Sequence, residues 1–141
     1  MKDDALVQQQ KTLFIIWLAL LSSLGVYGLI GSMVLQPSED AVVPPMLAEV
    51  LIGVVVSEMV VIFAVLPKLL KPKNLQAATT FFIVRWALAE SIGIYGLVLH
   101  ILGGSALHLW GFLGAGAFCM LMLHPSVDAI RQSVGSEPTG H

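Results

Sequence analysis

Charged residues are scarce in this chain: aspartate, glutamate, lysine and arginine make up 11% of its 141 residues. A soluble globular domain carries roughly 25% charged residues, so this scarcity excludes an ordinary soluble protein. The 57% content of hydrophobic residues excludes a disordered chain. A formal net charge of −2 gives no basic field that would attract nucleic acid. We therefore expect a small integral membrane protein that has no nucleic-acid partner.

Cysteine is nearly missing too, since Cys119 is the only one in the sequence. A single thiol forms neither an intramolecular disulfide nor a thiolate metal cluster. The sequence also lacks a phosphate-binding loop, a nucleophile triad and the spacing of a zinc site. It thus predicts a chain that is not catalytic by itself, and it leaves open that the chain is a subunit of an ion-translocating or respiratory membrane enzyme complex.

What the chain has instead is four long apolar blocks, at residues 12–35, 46–66, 80–102 and 106–123. Each is close to the roughly 20 residues that cross a hydrocarbon core as a helix. Uninterrupted apolar runs lack the alternation of a membrane β-barrel. The predicted fold is all-α: an integral membrane bundle of four transmembrane helices over residues 1–125, followed by a cytoplasmic, mostly disordered tail over residues 126–141.

The positions of lysine and arginine predict the orientation. Lys2 and Lys11 precede the first block, three lysines lie between residues 67 and 79, and Arg131 follows the fourth block. The two remaining loops contain neither residue type. Because cytoplasmic loops of membrane proteins are rich in lysine and arginine, we predict a multi-pass protein of the inner (cytoplasmic) membrane, with both termini in the cytoplasm. We therefore expect the chain to be embedded in the lipid bilayer.

The first and third blocks repeat each other. A shift of 68 residues aligns residues 12–30 with residues 80–98, and 10 of the 19 aligned positions are identical. The shared core is Ser-x-Gly-x-Tyr-Gly-Leu, which begins at Ser23 and again at Ser91. Both copies follow an even number of predicted crossings and so share one direction. The pattern therefore predicts a parallel repeat of two-helix units.

Small residues at these positions predict close helix packing, since they let neighbouring backbones approach. The glycines assigned to helix packing are Gly25, Gly28, Gly93, Gly96, Gly111 and Gly114. A monomer of four helices cannot use all of these small-residue faces. We therefore expect the chain to associate with copies of itself or with other membrane subunits.

Two carboxylates lie inside predicted helices. Glu90 is ten residues inside the third block, roughly 15 Å deep, and Glu58 is eight residues inside the second, roughly 12 Å deep at 1.5 Å per residue. A lone ionised carboxylate at such depth costs several kcal/mol, so each is protonated, paired or bound to a cation. We expect the two to share one proton or one cation. The alternative is that both are protonated and only hold helices together.

The surroundings of Glu90 resemble a known family. Ser91 and Tyr95 offer neutral oxygen ligands, which suit H⁺ or Na⁺. Residues 79–83 read Thr-Thr-Phe-Phe-Ile, residues 87–90 read Ala-Leu-Ala-Glu, and residues 95–98 read Tyr-Gly-Leu-Val. Over roughly residues 58–99 the chain resembles the c subunit, or proteolipid, of rotary F/V-type ATP synthases, in its duplicated-hairpin form.

The resemblance implies a small membrane subunit that carries protons or Na⁺. The implied ion-binding residues are Glu90, Glu58, Ser91 and Tyr95, with no metal beyond Na⁺ and no other cofactor. The alternative function is a non-catalytic structural or anchor subunit of a larger membrane complex, for example a respiratory one. His100 and His108 both lie near the predicted outer surface, and interfacial histidines without metal are favoured over a haem site there. Arg85 is expected to snorkel toward the cytoplasmic face.

Overall fold

A computed structural model describes residues 2–33 and 43–134 of the chain. Within these residues the backbone is helical and contains no strand, so the predicted all-α class is confirmed. The helices are α1 (Lys2–Met33), α2 (Pro45–Leu69), α3 (Leu75–Ile101), α4 (Ala106–Met122) and α5 (Val127–Val134). A π-helical turn, Val61–Val65, lies inside α2.

Three of these helices are long and apolar enough to cross a membrane: Asp4–Met33 of α1, α2 and α3. Helix α4 is apolar as well, but has 17 residues. These lengths are compatible with a multi-pass membrane protein. In the described part of the chain, the boundaries agree with the four predicted blocks to within a few residues, except at the start of α1 and α3.

Two helices begin earlier than the apolar blocks predict. Helix α3 begins at Leu75 rather than at residue 80 because the Asn74 side chain accepts a hydrogen bond from the Ala77 amide at 2.8 Å. Helix α1 begins at Lys2 rather than at residue 12, and its polar first turns pack on the bundle, where the Gln9 amide donates to the Thr79 hydroxyl. The predicted end of the first block, residues 34–35, lies outside the described residues.

The first half of the tail, which the sequence predicts to begin as a short amphipathic turn at Val127, Ile130 and Val134, forms a short helix. Helix α5 starts beyond Ser126, whose hydroxyl accepts a hydrogen bond from the Ala129 amide at 3.1 Å. Ile130 is fully buried against the bundle. The first half of the tail is therefore ordered by a capped turn and one apolar anchor, and the rest, residues 135–141, lies outside the described residues.

Helices α1, α3 and α4 form the packed core. Contacts of Gln9 with Thr79 at one end and of Gly31 with His100 at the other show that α1 and α3 run in the same direction. Helix α4 runs against both, and two indoles secure its C-terminal end. Trp17 Nε1 donates to the Met120 carbonyl at 2.8 Å, and Trp86 Nε1 donates to the Leu123 carbonyl at 3.0 Å. These bonds reach carbonyls in and just beyond the last turn of α4, where regular intrahelical donors run out.

Glycines allow the closest backbone approaches in this core, though only some of those predicted do so. A Cβ at Gly28, Gly93 or Gly96 would meet a neighbouring side chain at 3.1 Å, 2.3 Å and 2.6 Å respectively. Gly25, Gly111 and Gly114 have no neighbouring atom within 4 Å of such a Cβ. Close approaches that the sequence analysis missed occur at Gly31, Gly104 and Gly116. The described residues therefore leave open space beside Gly25, Gly111 and Gly114.

Helix α2 packs mainly on α3 and stands apart from the other helices. Among its residues only Val55 and Ile62 are buried. An apolar groove of about 230 Å³ separates it from α4. Val55 and Val56 line one side of this groove, and Gly111 and Phe112 line the other. In the described residues the arrangement is therefore a three-helix core with α2 on its flank.

The π-helical turn in α2 follows from Pro67. In an α-helix the Leu66 amide would bond to the Ile62 carbonyl, but here it bonds to the Val61 carbonyl. The next residue, Pro67, has no N–H to offer. The Ile62 carbonyl is thus left without a donor in its own helix, and Arg85 Nε of α3 donates to it at 3.0 Å.

Candidate functional site

The first carboxylate site joins α1 to α3. Glu90 Oε1 accepts a hydrogen bond from Ser23 Oγ at 2.5 Å and a second from the Tyr27 hydroxyl at 2.9 Å. Ser23 and Tyr27 are four residues apart on α1, which brings both hydroxyls to the same face of the helix. Because α1 and α3 run in parallel and touch along their length, this face meets Glu90 directly. We call these three residues the α1 site.

The second carboxylate site joins α2 to α3. Glu58 Oε1 accepts a hydrogen bond from the Tyr95 hydroxyl at 2.8 Å, and Ser91 Oγ lies 3.2 Å from each carboxylate oxygen of Glu58. Ser91 and Tyr95 are again four residues apart and share one face of α3. We call these three residues the α2 site.

The two sites use the same chemistry because they use the two copies of one motif. A shift of 68 residues carries Ser23 and Tyr27 onto Ser91 and Tyr95. In each copy the serine and the tyrosine hold a carboxylate that comes from another helix. The repeated element is therefore a carboxylate-binding pair of hydroxyls, and α3 supplies a carboxylate to one site and the hydroxyls to the other.

Each serine can satisfy its glutamate in either protonation state. Ser23 Oγ lies 2.6 Å from the Leu20 carbonyl as well as beside Glu90, and Ser91 Oγ lies 2.7 Å from the Leu88 carbonyl as well as beside Glu58. A hydroxyl has one proton to donate and lone pairs that accept. When the carboxylate is ionised, the serine donates to it. When the carboxyl is protonated, it donates to the serine, whose own proton turns to the backbone carbonyl.

The partners of both carboxylates in the described residues are uncharged hydroxyls. Both glutamates are half-buried. The described residues contain no group of three or more His, Cys, Asp or Glu side chains arranged to hold a metal ion. The sites therefore offer neutral oxygen ligands and hydrogen-bond donors around a single carboxylate each.

The arrangement differs from the single shared site expected from the sequence. Of the four predicted ion-binding residues, the structure brings together Glu58, Ser91 and Tyr95, while Glu90 turns to α1. Ser91 follows Glu90 in the chain, and neighbouring residues of a helix point about 100° apart. The two carboxylates therefore face different neighbours of α3.

Sequence reasoning missed Ser23 and Tyr27 as partners of Glu90. The signal was present, because the repeat gives both residues the same spacing and context as Ser91 and Tyr95. The same motif is also typical of helix packing, and Ser22 occupies the position equivalent to Glu90, so the first copy has no carboxylate of its own.

Arg85 does not extend freely toward the cytoplasmic face. Besides its hydrogen bond to the Ile62 carbonyl, its guanidinium lies 5.1 Å from the centroid of the Phe81 ring and 5.9 Å from that of Phe63. Such cation–π contacts stabilise a partly desolvated guanidinium. Arg85 thus links α3 to α2, at the same interface as the α2 site.

The two histidines near the α3–α4 turn are both engaged by neighbours. His100 Nδ1 lies 3.0 Å from the Gly104 carbonyl and its Nε2 lies 3.1 Å from the Gly31 carbonyl. His108 Nδ1 lies 2.9 Å from Ser105 Oγ. His100 is buried and His108 is half-buried.

The chain matches no protein-family model, no curated protein and no solved structure.

Proposed function

We propose that this chain is a proton-carrying membrane subunit, similar in chemistry to the c subunit of rotary ATP synthases, in which Glu90 takes up and releases the ion. The observation that carries the proposal is the serine beside each glutamate, which lies between a carboxylate oxygen and a backbone carbonyl. Rotation of one hydroxyl satisfies both protonation states. A carboxyl that only linked two helices would need hydrogen-bond partners for a single protonation state.

The position of Glu90 supports the same function. It is 15 residues after the first residue of α3 and 11 before the last, so it lies near the middle of a helix long enough to span a bilayer. Ionisable residues at such depth mark ion pathways more often than structural contacts. Glu58 would take up and release a proton in the same way, as a second carboxyl in the same chain.

A proton suits these sites better than Na⁺. The hydroxyls of Ser23 and Tyr27 both lie at hydrogen-bonding distance from one oxygen of Glu90, an arrangement in which they act as donors. To bind Na⁺, the hydroxyl oxygens of Ser23 and Tyr27 would have to turn their lone pairs toward the ion. Sodium remains the second candidate ion, because every ligand at the site is an oxygen.

Carbodiimide labelling tests the proposal. Dicyclohexylcarbodiimide reacts with a protonated carboxyl in apolar surroundings, and mass analysis of fragments locates the adduct. We expect an adduct at Glu90 whose rate of formation falls as the pH rises, and we expect it to disappear in Glu90→Gln, where an amide of similar size keeps the hydrogen bonds. Protection by Na⁺ would assign the site to Na⁺ instead. A rate that does not depend on pH would contradict proton exchange.

A structural or anchor subunit is the second candidate function. It is favoured by the fact that each carboxylate links two helices, α1 to α3 and α2 to α3. Under this alternative Glu90→Gln leaves the ion-dependent activity of the parent complex unchanged. Under the proton-carrying function the same substitution abolishes it.

We further propose that the chain assembles with copies of itself or with other membrane subunits. The support lies in its uncovered faces. Gly25 and Gly114 have open space where a Cβ would lie, and α2 buries few of its side chains. In membranes, the helices of a partner subunit pack against small-residue faces of this kind.

The proposed arrangement in the membrane is four crossings built from a parallel two-helix repeat, with both termini in the cytoplasm. To test it, single cysteines replace Asp40 and, as the matched control, Lys71, in a Cys119→Ala background. Spheroplasts are then treated with a membrane-impermeant maleimide. We expect Asp40→Cys to react in intact spheroplasts and Lys71→Cys to react only after permeabilisation. The opposite pattern would reverse the orientation, and reaction of both in intact spheroplasts would contradict the number of crossings.

A further inference from the structure

The Arg85 side chain makes a hydrogen bond to the backbone of another helix. Arg85 lies ten residues after the start of α3 at Leu75, and its side chain is half-buried. Its Nε donates to the Ile62 carbonyl of α2 at 3.0 Å. In a regular α-helix a carbonyl accepts from the amide four residues further along the chain, so it is seldom open to an outside donor. The bond to Arg85 therefore depends on an irregularity in α2.

Two features of α2 leave the Ile62 carbonyl open, and both lie within the described residues. The Leu66 amide, which would be the regular donor, bonds to the Val61 carbonyl in the π-helical turn. The next residue is Pro67, which has no N–H. Ile62 is fully buried, and a buried acceptor without a donor is unfavourable. Arg85 Nε supplies the donor that α2 does not.

The bond lies on the same interface as the α2 site. Glu58 is four residues before Ile62, so the two residues share the face of α2 that meets α3. On α3 the order is reversed, since Ser91, whose hydroxyl lies 3.2 Å from the Glu58 carboxylate, comes six residues after Arg85. The two helices are therefore antiparallel, and one turn of α2 separates the bond from the carboxylate. A shift of α2 along α3 would change both contacts together.

Apolar packing alone sets the height of α2 on α3 only loosely. Among the described residues of α2, Val55 and Ile62 are buried, and attraction between apolar surfaces has no preferred direction. A hydrogen bond, by contrast, needs a defined distance and angle. The guanidinium is itself held in place, because it lies 5.1 Å from the centroid of the Phe81 ring and 5.9 Å from that of Phe63. Arg85 thus adds a directional contact to an interface that is otherwise permissive.

We propose that Arg85 is a positioning residue for Glu58. Its hydrogen bond to the Ile62 carbonyl, which Pro67 leaves open, holds α2 at the height where Glu58 meets the two hydroxyls of the α2 site. Glu90 is independent of this bond, because the hydroxyls that hold Glu90 come from α1. The role in positioning Glu58 rests on the proposed function, whereas the bond itself does not.

Two variants of similar length separate the hydrogen bond from the charge of Arg85. In Arg85→Gln an N–H donor lies as many bonds from the backbone as Arg85 Nε does, and the side chain is neutral. In Arg85→Met a methyl group takes that position, so the donor and the charge are both lost. A role of the bond predicts that the two variants differ, and a role of the charge predicts that they behave alike.

The first part of the test reads the Ile62 carbonyl directly. Ile62 and Phe63 form the only Ile–Phe pair in the sequence, so ¹³C-carbonyl isoleucine combined with ¹⁵N-phenylalanine gives one carbonyl–nitrogen signal. Spectra of the full chain are recorded in lipid vesicles. We expect the carbonyl resonance to shift in Arg85→Met and to stay close to its original position in Arg85→Gln. No shift in Arg85→Met, or an equal shift in both variants, would overturn the bond whatever the function of Glu58.

The second part reads Glu58 and Glu90 separately by carbodiimide labelling. In Arg85→Met we expect the labelling rate of Glu58 to rise about threefold, because α2 moves away from the hydroxyl donors that stabilise the ionised carboxylate. The rate at Glu90 should stay the same. In Arg85→Gln both rates should stay close to those of the unaltered chain. A rise at Glu58 in Arg85→Gln equal to that expected for Arg85→Met would assign the effect to charge and would overturn the positioning role.

The remaining outcomes separate this role from general stability and from the proposed function. An equal rise at Glu58 and Glu90 in Arg85→Met would mean a loss of overall packing and would overturn the positioning role. If neither glutamate of the unaltered chain were labelled at any pH, the proposed function would fall and the positioning role with it. The Ile62 carbonyl signal would still decide whether the bond between α3 and α2 exists.

Discussion

Removing the Tyr27 hydroxyl is expected to raise the carbodiimide labelling rate of Glu90 about tenfold and to leave Glu58 unchanged. The Tyr27 hydroxyl donates to Glu90 at 2.9 Å, and a donor of this kind stabilises the ionised carboxylate more than the neutral acid. A hydrogen bond to a charged group contributes about 1.5–3 kcal/mol, and about 1.4 kcal/mol corresponds to a factor of ten in an equilibrium constant. Phenylalanine keeps the ring and removes the donor alone.

Tyr95→Phe is the matched variant, because it removes the equivalent hydroxyl from the other copy of the motif. The Tyr95 hydroxyl donates to Glu58 at 2.8 Å, so we expect labelling of Glu58 to rise and that of Glu90 to stay unchanged. Fragment mass analysis after a timed reaction measures both rates in one sample. If either variant altered both glutamates equally, the two carboxylates would form one coupled site, and the division into an α1 site and an α2 site would be wrong.

Gly116→Ala is expected to destabilise the chain by about 1–3 kcal/mol, the range for overpacking a tight contact. A Cβ at Gly116 would lie 2.7 Å from the backbone carbonyl oxygen of Ala89 on α3, which cannot move aside as a side chain can. Helices α3 and α4 would have to separate at this level. Since Glu90 follows Ala89, its site would be disturbed in the same variant. Thermal unfolding in detergent, followed by circular dichroism, measures the loss.

Gly114→Ala is the control on the same helix. No neighbouring atom lies within 4 Å of a Cβ at Gly114, and alanine favours a helix over glycine by about 1 kcal/mol. The isolated chain should therefore unfold at the same temperature or slightly higher. Equal destabilisation by both substitutions would contradict the assignment of the Gly116→Ala effect to its contact with α3.

The sequence by itself determined the all-α fold class and most of the helix boundaries in the described residues. Scarce charge and apolar blocks of transmembrane length are properties of local composition, so they predicted the all-α fold and most boundaries without any knowledge of packing. The early start of α3 was also readable in principle, because Asn74 is a common helix cap. The positions of Glu58 and Glu90 well inside their helices also followed from counting residues.

Only the tertiary structure decided which side chains meet. Whether Glu90 turns to α1 or shares a site with Glu58 depends on the rotation of α3 and on which helix lies beside it, and composition fixes neither. The same holds for His100, whose second partner is the Gly31 carbonyl, 69 residues away. Arg85 found its acceptor because Pro67 and the π-helical turn freed the Ile62 carbonyl on another helix. Contacts between helices depend on register and rotation, which the apolar pattern of each helix leaves undetermined.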